Sequence, residues 1–317
     1  MNYRPPFQVS ADAIRMIAEI AALVERYSIK KEYDSRLKLR RANRVKTIQA
    51  TLAIEGNRLS EEQVSEILDG KRVTGPLREI QEVKNAIAVY DIAQCLDPYS
   101  MKDFLKAHGM MMSALIDEPG VFRRGGAGVV KGDKVIHLAP PAHRVPELIQ
   151  DLFTWLRTSE DHPLIQSSVF HYELEFIHPF ADGNGRVGRL WQSLILAKWN
   201  PLFLQLPVET MVFNHQNLYY QAINESSAAN DSGIFIDFML RVILKTLHGH
   251  EGCRKNTGNS TDAVFQCIQA SPGIRAGMLA EKLSISRRTA ERHLQALKKA
   301  GIIEFRGAPR NGGYYPK

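Results

Sequence analysis

His178-Pro-Phe-Ala-Asp-Gly-Asn-Gly-Arg-Val-Gly-Arg189 is the stretch from which the rest of the chain can be read. Within twelve residues it gathers one histidine, one carboxylate, three glycines, one asparagine and two arginines. Gly183 and Gly185 flank Asn184, a run that readily forms a concave nest of backbone N–H groups. Beyond Gly185 the pattern turns helical, with Val187, Leu190, Trp191, Leu194 and Ile195 apolar at spacings of three and four. A glycine loop that opens onto a helix N-terminus suits a phosphate. Arg186 and Arg189 fall on one face of the first turn. Cations at the positive end of a helix are mildly unfavourable there, by about 0.3–1 kcal/mol each, so the pair implies an anionic ligand. Asp182 is a hard oxygen ligand of the kind Mg²⁺ takes beside phosphates. His178 has an ordinary pKa near neutrality and is the candidate general base.

The stretch resembles the motif of Fic-domain proteins, His-x-Phe-x-Asp/Glu-Gly-Asn-Gly-Arg-x-x-Arg, with every fixed position present. The resemblance covers roughly residues 35–245 and implies a mostly α fold: a Fic-type helical bundle carrying a small β-hairpin flap. It also implies a reaction, transfer of AMP from ATP to a Ser, Thr or Tyr hydroxyl of a target protein, with pyrophosphate released. On that reading His178 is the base and Asp182 holds Mg²⁺ on the α- and β-phosphates. Gly183, Asn184 and Gly185 line the phosphates, and Arg186 and Arg189 pair with the outer ones. Phe180 anchors the loop in the core. Tyr219 and Tyr220 resemble the aromatic pair of the family's nucleotide pocket, with helix packing the competing role for one of them. Val129, Val130, Val135 and Ile136 fall in the flap, which would hold the target's backbone by strand addition. No GxxxxGK[ST] loop occurs, so this is not a P-loop nucleotide site.

A second motif, Thr51-x-x-x-Glu55-Gly56, matches the family's inhibitory helix. Elementary electrostatics points the same way. Glu55 would end a helix, where negative charge is unfavourable, and Arg189 would begin one, where positive charge is unfavourable. Pairing the two relieves both and fills the place of the γ-phosphate. The expectation is an autoinhibited adenylyltransferase, acting on other proteins and on itself. Glu55 could also serve the reverse direction, AMP removal, by positioning water.

The chain of 317 residues has room for about two domains of roughly 100–200 residues. Its 44% hydrophobic and 24% charged residues are ordinary for a globular protein. No apolar run approaches the ~20 residues that span a bilayer. The N-terminus lacks a signal-peptide pattern, and three dispersed cysteines suit a reducing compartment, so a cytoplasmic protein is expected. The net charge of +7 is concentrated at one end. Residues 261–317 carry ten Lys/Arg against four Asp/Glu, and residues 1–260 hold the other 31 and 30. The expected division is an N-terminal helical region over 1–100, a Fic core over 101–248, a polar linker over 249–260 and a winged helix-turn-helix over 261–317. In the last segment Ser286 would cap a helix that presents Arg287, Arg288 and Arg292, the position of DNA contacts in such folds. Two roles stay open for it: DNA binding, which would make the chain a nucleotide-sensing regulator, or docking to a protein. The long N-terminal helices offer a surface for a homodimer.

Overall fold

The computed structural model describes residues 3–30, 37–126, 128–131, 134–258, 264–265, 267–269, 271–283, 286–299, 301–306 and 312–316. The chain divides into two compact units, Met1–Leu247 and His248–Lys317. Residues 1–100 share one hydrophobic core with residues 101–247.

The first unit is built from α1 (Ala11–Lys30), α2 (Leu37–Ile54), α3 (Glu61–Leu68), α4 (Leu77–Ile92), α5 (Met101–Met111), α6 (Val145–Thr158), α7 (Pro163–Ile177), α8 (Asn184–Trp199), α9 (Val208–Asn214), α10 (Gln216–Ala229) and, as far as Leu247, α11 (Gly233–Gly258). Helices α7 and α8 form its centre. Every residue from Leu164 to Leu174 is buried, polar ones included, so α7 shows no single apolar stripe. Gly188 lets the two helices approach: a Cβ there would lie 3.1 Å from the His171 ring. Beneath them Phe104, Phe153, Phe170, Phe180 and Trp191 form a buried aromatic cluster.

Local signals in the sequence set several boundaries. Ser60 and Gln63 form a reciprocal capping box at the start of α3. Helix α2 stops at a left-handed Gly56 (φ 93°). Asn57 N donates to Leu52 O and Gly56 N to Ala53 O, a Schellman closure. Pro179 discourages further helix at the residue before it. Accordingly α7 ends and His178 turns left-handed (φ 50°, ψ 61°).

The flap is a two-stranded antiparallel hairpin, β1 (Gly128–Lys131) and β2 (Lys134–Leu138). Val129 pairs with His137 and Val130 with Val135, with a bulge between. Its turn residues 132–133 lie outside the described residues.

The second unit holds α12 (Ala276–Lys282), α13 (Arg287–Lys299) and the antiparallel pair β3 (Ile303–Arg306) and β4 (Gly313–Pro316). Leu279, Ala290, Leu294, Leu297 and Ile303 make its small core. Ser286 Oγ accepts from Thr289 N at 3.1 Å and caps α13 as expected. In the segment before α12, residues 264–265 and 267–269 are described and helical, and the wing tip at 307–311 lies outside the described residues.

The structure departs from the sequence reading in two stretches. A separate short helix, α9, precedes α10; seven residues after Pro207 show too little periodicity to announce it in the sequence. The expected linker at 249–260 is helical to Gly258. Once a buried helix is nucleated, adding polar residues to its end requires little free energy, even across Gly249 and Gly252.

Candidate functional site

The carbonyl end of α7, the loop 178–183 and the first turn of α8 bound a cavity of about 240 Å³. Helix α8 begins at Asn184, with Gly183 at its N-cap in the left-handed region (φ 86°). Gly185 and Arg186 therefore lie within the first turn, whose N–H groups have no intrahelical partner. No side chain fits at Gly183, where a Cβ would lie 2.6 Å from Met112 Sδ.

Each side chain of the motif has a definite place. His178, Asp182, Gly183, Asn184, Gly185 and Arg189 all line the cavity. Phe180 is fully buried, stacked on His108 at 3.5 Å. The Asn184 side chain turns back into the loop: its Oδ1 accepts from Phe180 N and its Nδ2 donates to Phe180 O, both at 2.9 Å. It shapes the nest and does not point into it. Asp182 Oδ1 accepts from Gly183 N at 2.6 Å and from Arg186 Nη2 at 2.7 Å. Arg78 of α4 reaches Asp182 Oδ2 at 3.3 Å. Arg186 is buried and also meets Glu82 at 3.4 Å.

Among the described residues no cluster of three metal-binding side chains occurs. A Mg²⁺ carried by a triphosphate needs only one or two carboxylates, with phosphates and water as the remaining ligands. Asp182, whose side chain is 40% exposed at the cavity, fits as that single ligand.

Arg189 comes together with the second motif. Its Nη2 donates to Glu55 Oε1 at 2.7 Å and to the Thr51 carbonyl at 2.9 Å, and its Nε donates to Thr51 Oγ1 at 3.0 Å. Arg189 is 3% exposed, so its charge requires a partner. Burial alone would lower its pKa, but the neighbouring Glu55, Tyr219 and Glu175 hold it above the ordinary arginine range. The end of α2 is tied in place twice more. Gln216 Nε2 donates to Ile54 O at 2.8 Å, and Asn57 Nδ2 donates to Glu82 Oε2 at 2.8 Å. Glu82 thereby links the end of α2 to Arg186.

Both tyrosines line the cavity but differ in exposure. Tyr219 is buried, its hydroxyl 3.1 Å from His171 Nε2. Tyr220 is 39% exposed and lines the cavity beside Ile223 and Asn224. The flap residues Val129, Val130, Val135 and Ile136 fall on the paired strands described above.

Several residues that hold the site escaped the sequence reading. Arg123 is buried under the loop and donates to four carbonyls: His178 at 2.7 Å, Gly125 at 2.8 Å, Pro140 at 2.5 Å and Ile177 at 3.3 Å. It joins the base of the flap to the end of α7, and burial lowers its pKa. The available signal was an arginine set in an apolar Val121-Phe122 run. His108 accepts from Gly120 N on Nδ1, so Nε2 carries the proton and donates to Asp182 O at 2.9 Å. Burial pushes its pKa down to about 4, which keeps it neutral. Glu175 lies in the cavity wall, and burial pushes it up to about 7, aided by the Glu55 charge. In the second unit Arg287, Arg288 and Arg292 are exposed on α13, Arg287 paired with Glu291 at 3.0 Å.

Comparison with known proteins agrees with this geometry. A Fic/DOC family model matches residues 98–196, and an HTH domain model matches residues 261–315. The chain is 33% identical over 181 residues to protein adenylyltransferase fic-1 of Caenorhabditis elegans, covering 53% of this chain and 35% of that protein. It is 29% identical over 234 residues to protein adenylyltransferase Fic of Aedes aegypti, covering 68% and 44%. It thus spans less than half the length of these curated relatives. The crystal structure of a Fic family protein from Desulfovibrio desulfuricans G20 matches along nearly the whole length, 99% of this chain and 98% of that one, at 39% identity and a TM-score of 0.77. With its motif folded around α7 and α8 and a full-length relative of the same architecture, the chain belongs to the Fic/DOC family.

Proposed function

We propose that the protein is an autoinhibited protein adenylyltransferase that moves AMP from ATP to a Ser, Thr or Tyr hydroxyl, on a target protein and on itself. The observation that carries this reading is the Glu55–Arg189 contact at 2.7 Å inside an otherwise complete anion site. In the active state the first-turn N–H groups of α8 and the two arginines bind the triphosphate. Arg186 and Arg189 take the outer phosphates. Mg²⁺ held by Asp182 would neutralise phosphate charge. His178 accepts the proton of the target hydroxyl as its oxygen attacks the α-phosphorus. The bond from that phosphorus to the bridging oxygen breaks, and pyrophosphate leaves. Arg123 positions His178 by gripping its carbonyl. The flap pairs with the target backbone through its free edge, a mode tolerant of target sequence.

Glu55 opposes this by occupying Arg189. Mass spectrometry after incubation with ATP and Mg²⁺ tests the reading. Glu55→Gly protein should gain AMP that wild type does not. Adding His178→Ala should abolish it, by roughly 10²–10⁴-fold for loss of a general base. Absence of any adduct on the Glu55→Gly protein and on added protein substrates would refute it. Glu55 in the reverse reaction is tested on a pre-modified target, which wild type should release faster than Glu55→Gly.

The HTH match supports a second reading, a nucleotide-sensing regulator that binds DNA through Arg287, Arg288 and Arg292. It expects salt-dependent, sequence-selective DNA binding that survives His178→Ala. Binding that is weak and indifferent to sequence would leave the second unit as a protein-docking module.

A further inference from the structure

Glu175 sits one turn before His178 on α7. Its Oε1 is buried with no hydrogen-bond partner among the described residues. That atom borders the anion site. A Cβ built on Gly185 would lie 2.5 Å from Glu55 Oε1, 2.9 Å from Arg189 Nη1 and 3.4 Å from Glu175 Oε1. The two carboxylates and the guanidinium therefore converge on the space left by the missing Gly185 side chain. Two carboxylates sharing a site do not both ionise readily.

The surrounding groups decide which one keeps a proton. Glu55 faces Glu175 from the end of α2, Arg189 from α8, Tyr219 and Tyr220 from α10, and His171 from its own helix, 3.9 Å away. Arg189 favours the ionised form, but its Nε and Nη2 are directed to Thr51 and Glu55. His171 meets the amide oxygen of Gln192 through Nδ1 at 2.6 Å, so Nδ1 carries the proton and Nε2 is bare. Burial pushes His171 down to about 3, so it brings no positive charge. The Tyr219 hydroxyl lies 3.1 Å from that bare nitrogen and also favours the Glu175 anion, but burial and the Glu55 charge outweigh it. An orphaned carboxylate oxygen would be costly at this spot, whereas a protonated one has an acceptor beside it.

We propose that Glu175 binds anions as a neutral acid: it donates a hydrogen bond to whatever lies on Arg189, the Glu55 carboxylate at rest and an outer phosphate of ATP once Glu55 withdraws. This rests on the reading of Arg189 as a triphosphate site. A carboxylic acid kept neutral by its surroundings can serve as a donor near neutral pH. Burial and the Glu55 charge already push Glu175 up to about 7, and a triphosphate, more negative than Glu55, pushes further. ATP binding above that pH therefore takes up a proton.

The test is calorimetry of ATP binding to Glu55→Gly protein without Mg²⁺, at about pH 8, in two buffers of different ionisation enthalpy. At that pH ATP has completed its own last ionisation. The expected result is uptake approaching one proton, with affinity falling up to about tenfold per pH unit as pH rises further. Glu55→Gly/Glu175→Gln protein should still bind ATP, with no uptake and a flat pH profile. Equal uptake in both proteins, or none in Glu55→Gly, overturns the proposal. Difference infrared spectra of Glu55→Gly protein give a readout that does not depend on the Glu175 variant folding. ATP should raise a protonated-carboxyl band at pH 8, and its absence overturns the proposal. Failure of Glu55→Gly protein to bind ATP at all would remove the triphosphate reading first and this proposal with it.

Discussion

Replacing Glu55 by Gly removes one member of a contact whose other member is nearly fully buried. The contact is a single charge-assisted hydrogen bond of 2.7 Å between Arg189 Nη2 and Glu55 Oε1. Such bonds contribute about 1.5–3 kcal/mol. The Glu55 side chain is 32% exposed, so solvent screens part of the attraction and about 2 kcal/mol is the better figure. The Thr51 contacts to Arg189 and the backbone closure at Gly56 do not involve the Glu55 side chain and persist. The substitution therefore releases the guanidinium without dissolving the helix end. Freed of that competition, productive ATP binding should rise by about 10–100-fold, at 1.4 kcal/mol per decade. Initial rates of AMP incorporation, read by intact mass at subsaturating ATP, should rise by the same factor. Glu55→Gln keeps the acceptor and loses the charge, and should fall about midway on a logarithmic scale. If both variants bind ATP as tightly as expected yet label no faster than wild type, the site on Arg189 is not what restrains transfer.

Two further outcomes follow from groups beneath the loop. Arg123→Ala leaves the carbonyls of His178, Ile177, Gly125 and Pro140 without their donor. At about 1–3 kcal/mol for an unsatisfied buried acceptor, and with water entering at some of them, a loss of about 3 kcal/mol is expected in urea unfolding; a loss under about 1 kcal/mol would show that the arginine merely fills space. His108 has its folded pKa depressed to about 4. As pH falls from about 6.5 the unfolded chain takes up a proton that the native protein refuses, so stability declines toward pH 4, by about 3 kcal/mol from this group. His108→Gln, which can still accept from Gly120 and donate to Asp182, should flatten that slope in urea midpoints measured from pH 7 to pH 4, and an unchanged slope would exclude the assignment.

The loop and the Thr51-x-x-x-Glu55-Gly56 helix end were legible because their chemistry is local. A glycine nest, a helix start and a left-handed cap are each written in a few neighbouring residues. The hairpin strands were legible for the same reason. What stayed hidden depends on burial and on distant neighbours. Tyr219 and Tyr220 are adjacent in sequence and both line the cavity, yet one is 1% exposed with its hydroxyl on His171 while the other is 39% exposed. Asn184 sits where a phosphate ligand was expected, but its amide is consumed by Phe180. Arg123 lies 55 residues from the histidine whose carbonyl it holds, and no periodicity reports such a contact.

The same limit explains why the electrostatics around Arg189 needed coordinates. Three glutamates from three segments surround one buried cation. Glu55 touches it, while Glu175 and Glu209 act on it through space. Their sequence contexts do not rank them. Burial does. Glu175 and Glu209 are both pushed up to about 7, Glu209 while also accepting from Ser193 and Tyr90. Both are thereby poised to stay neutral below that pH, which leaves the more exposed Glu55 as the counter-charge of Arg189. A counter-charge at the solvent edge can leave without stranding a buried anion, because water takes it up as the phosphate arrives. Had a fully buried glutamate held that place, exchange for ATP would have required moving an ion through the core. On the proposed autoinhibited reading, Glu55 is thus placed where its removal is least costly, and a bond of only about 2 kcal/mol would restrain the site.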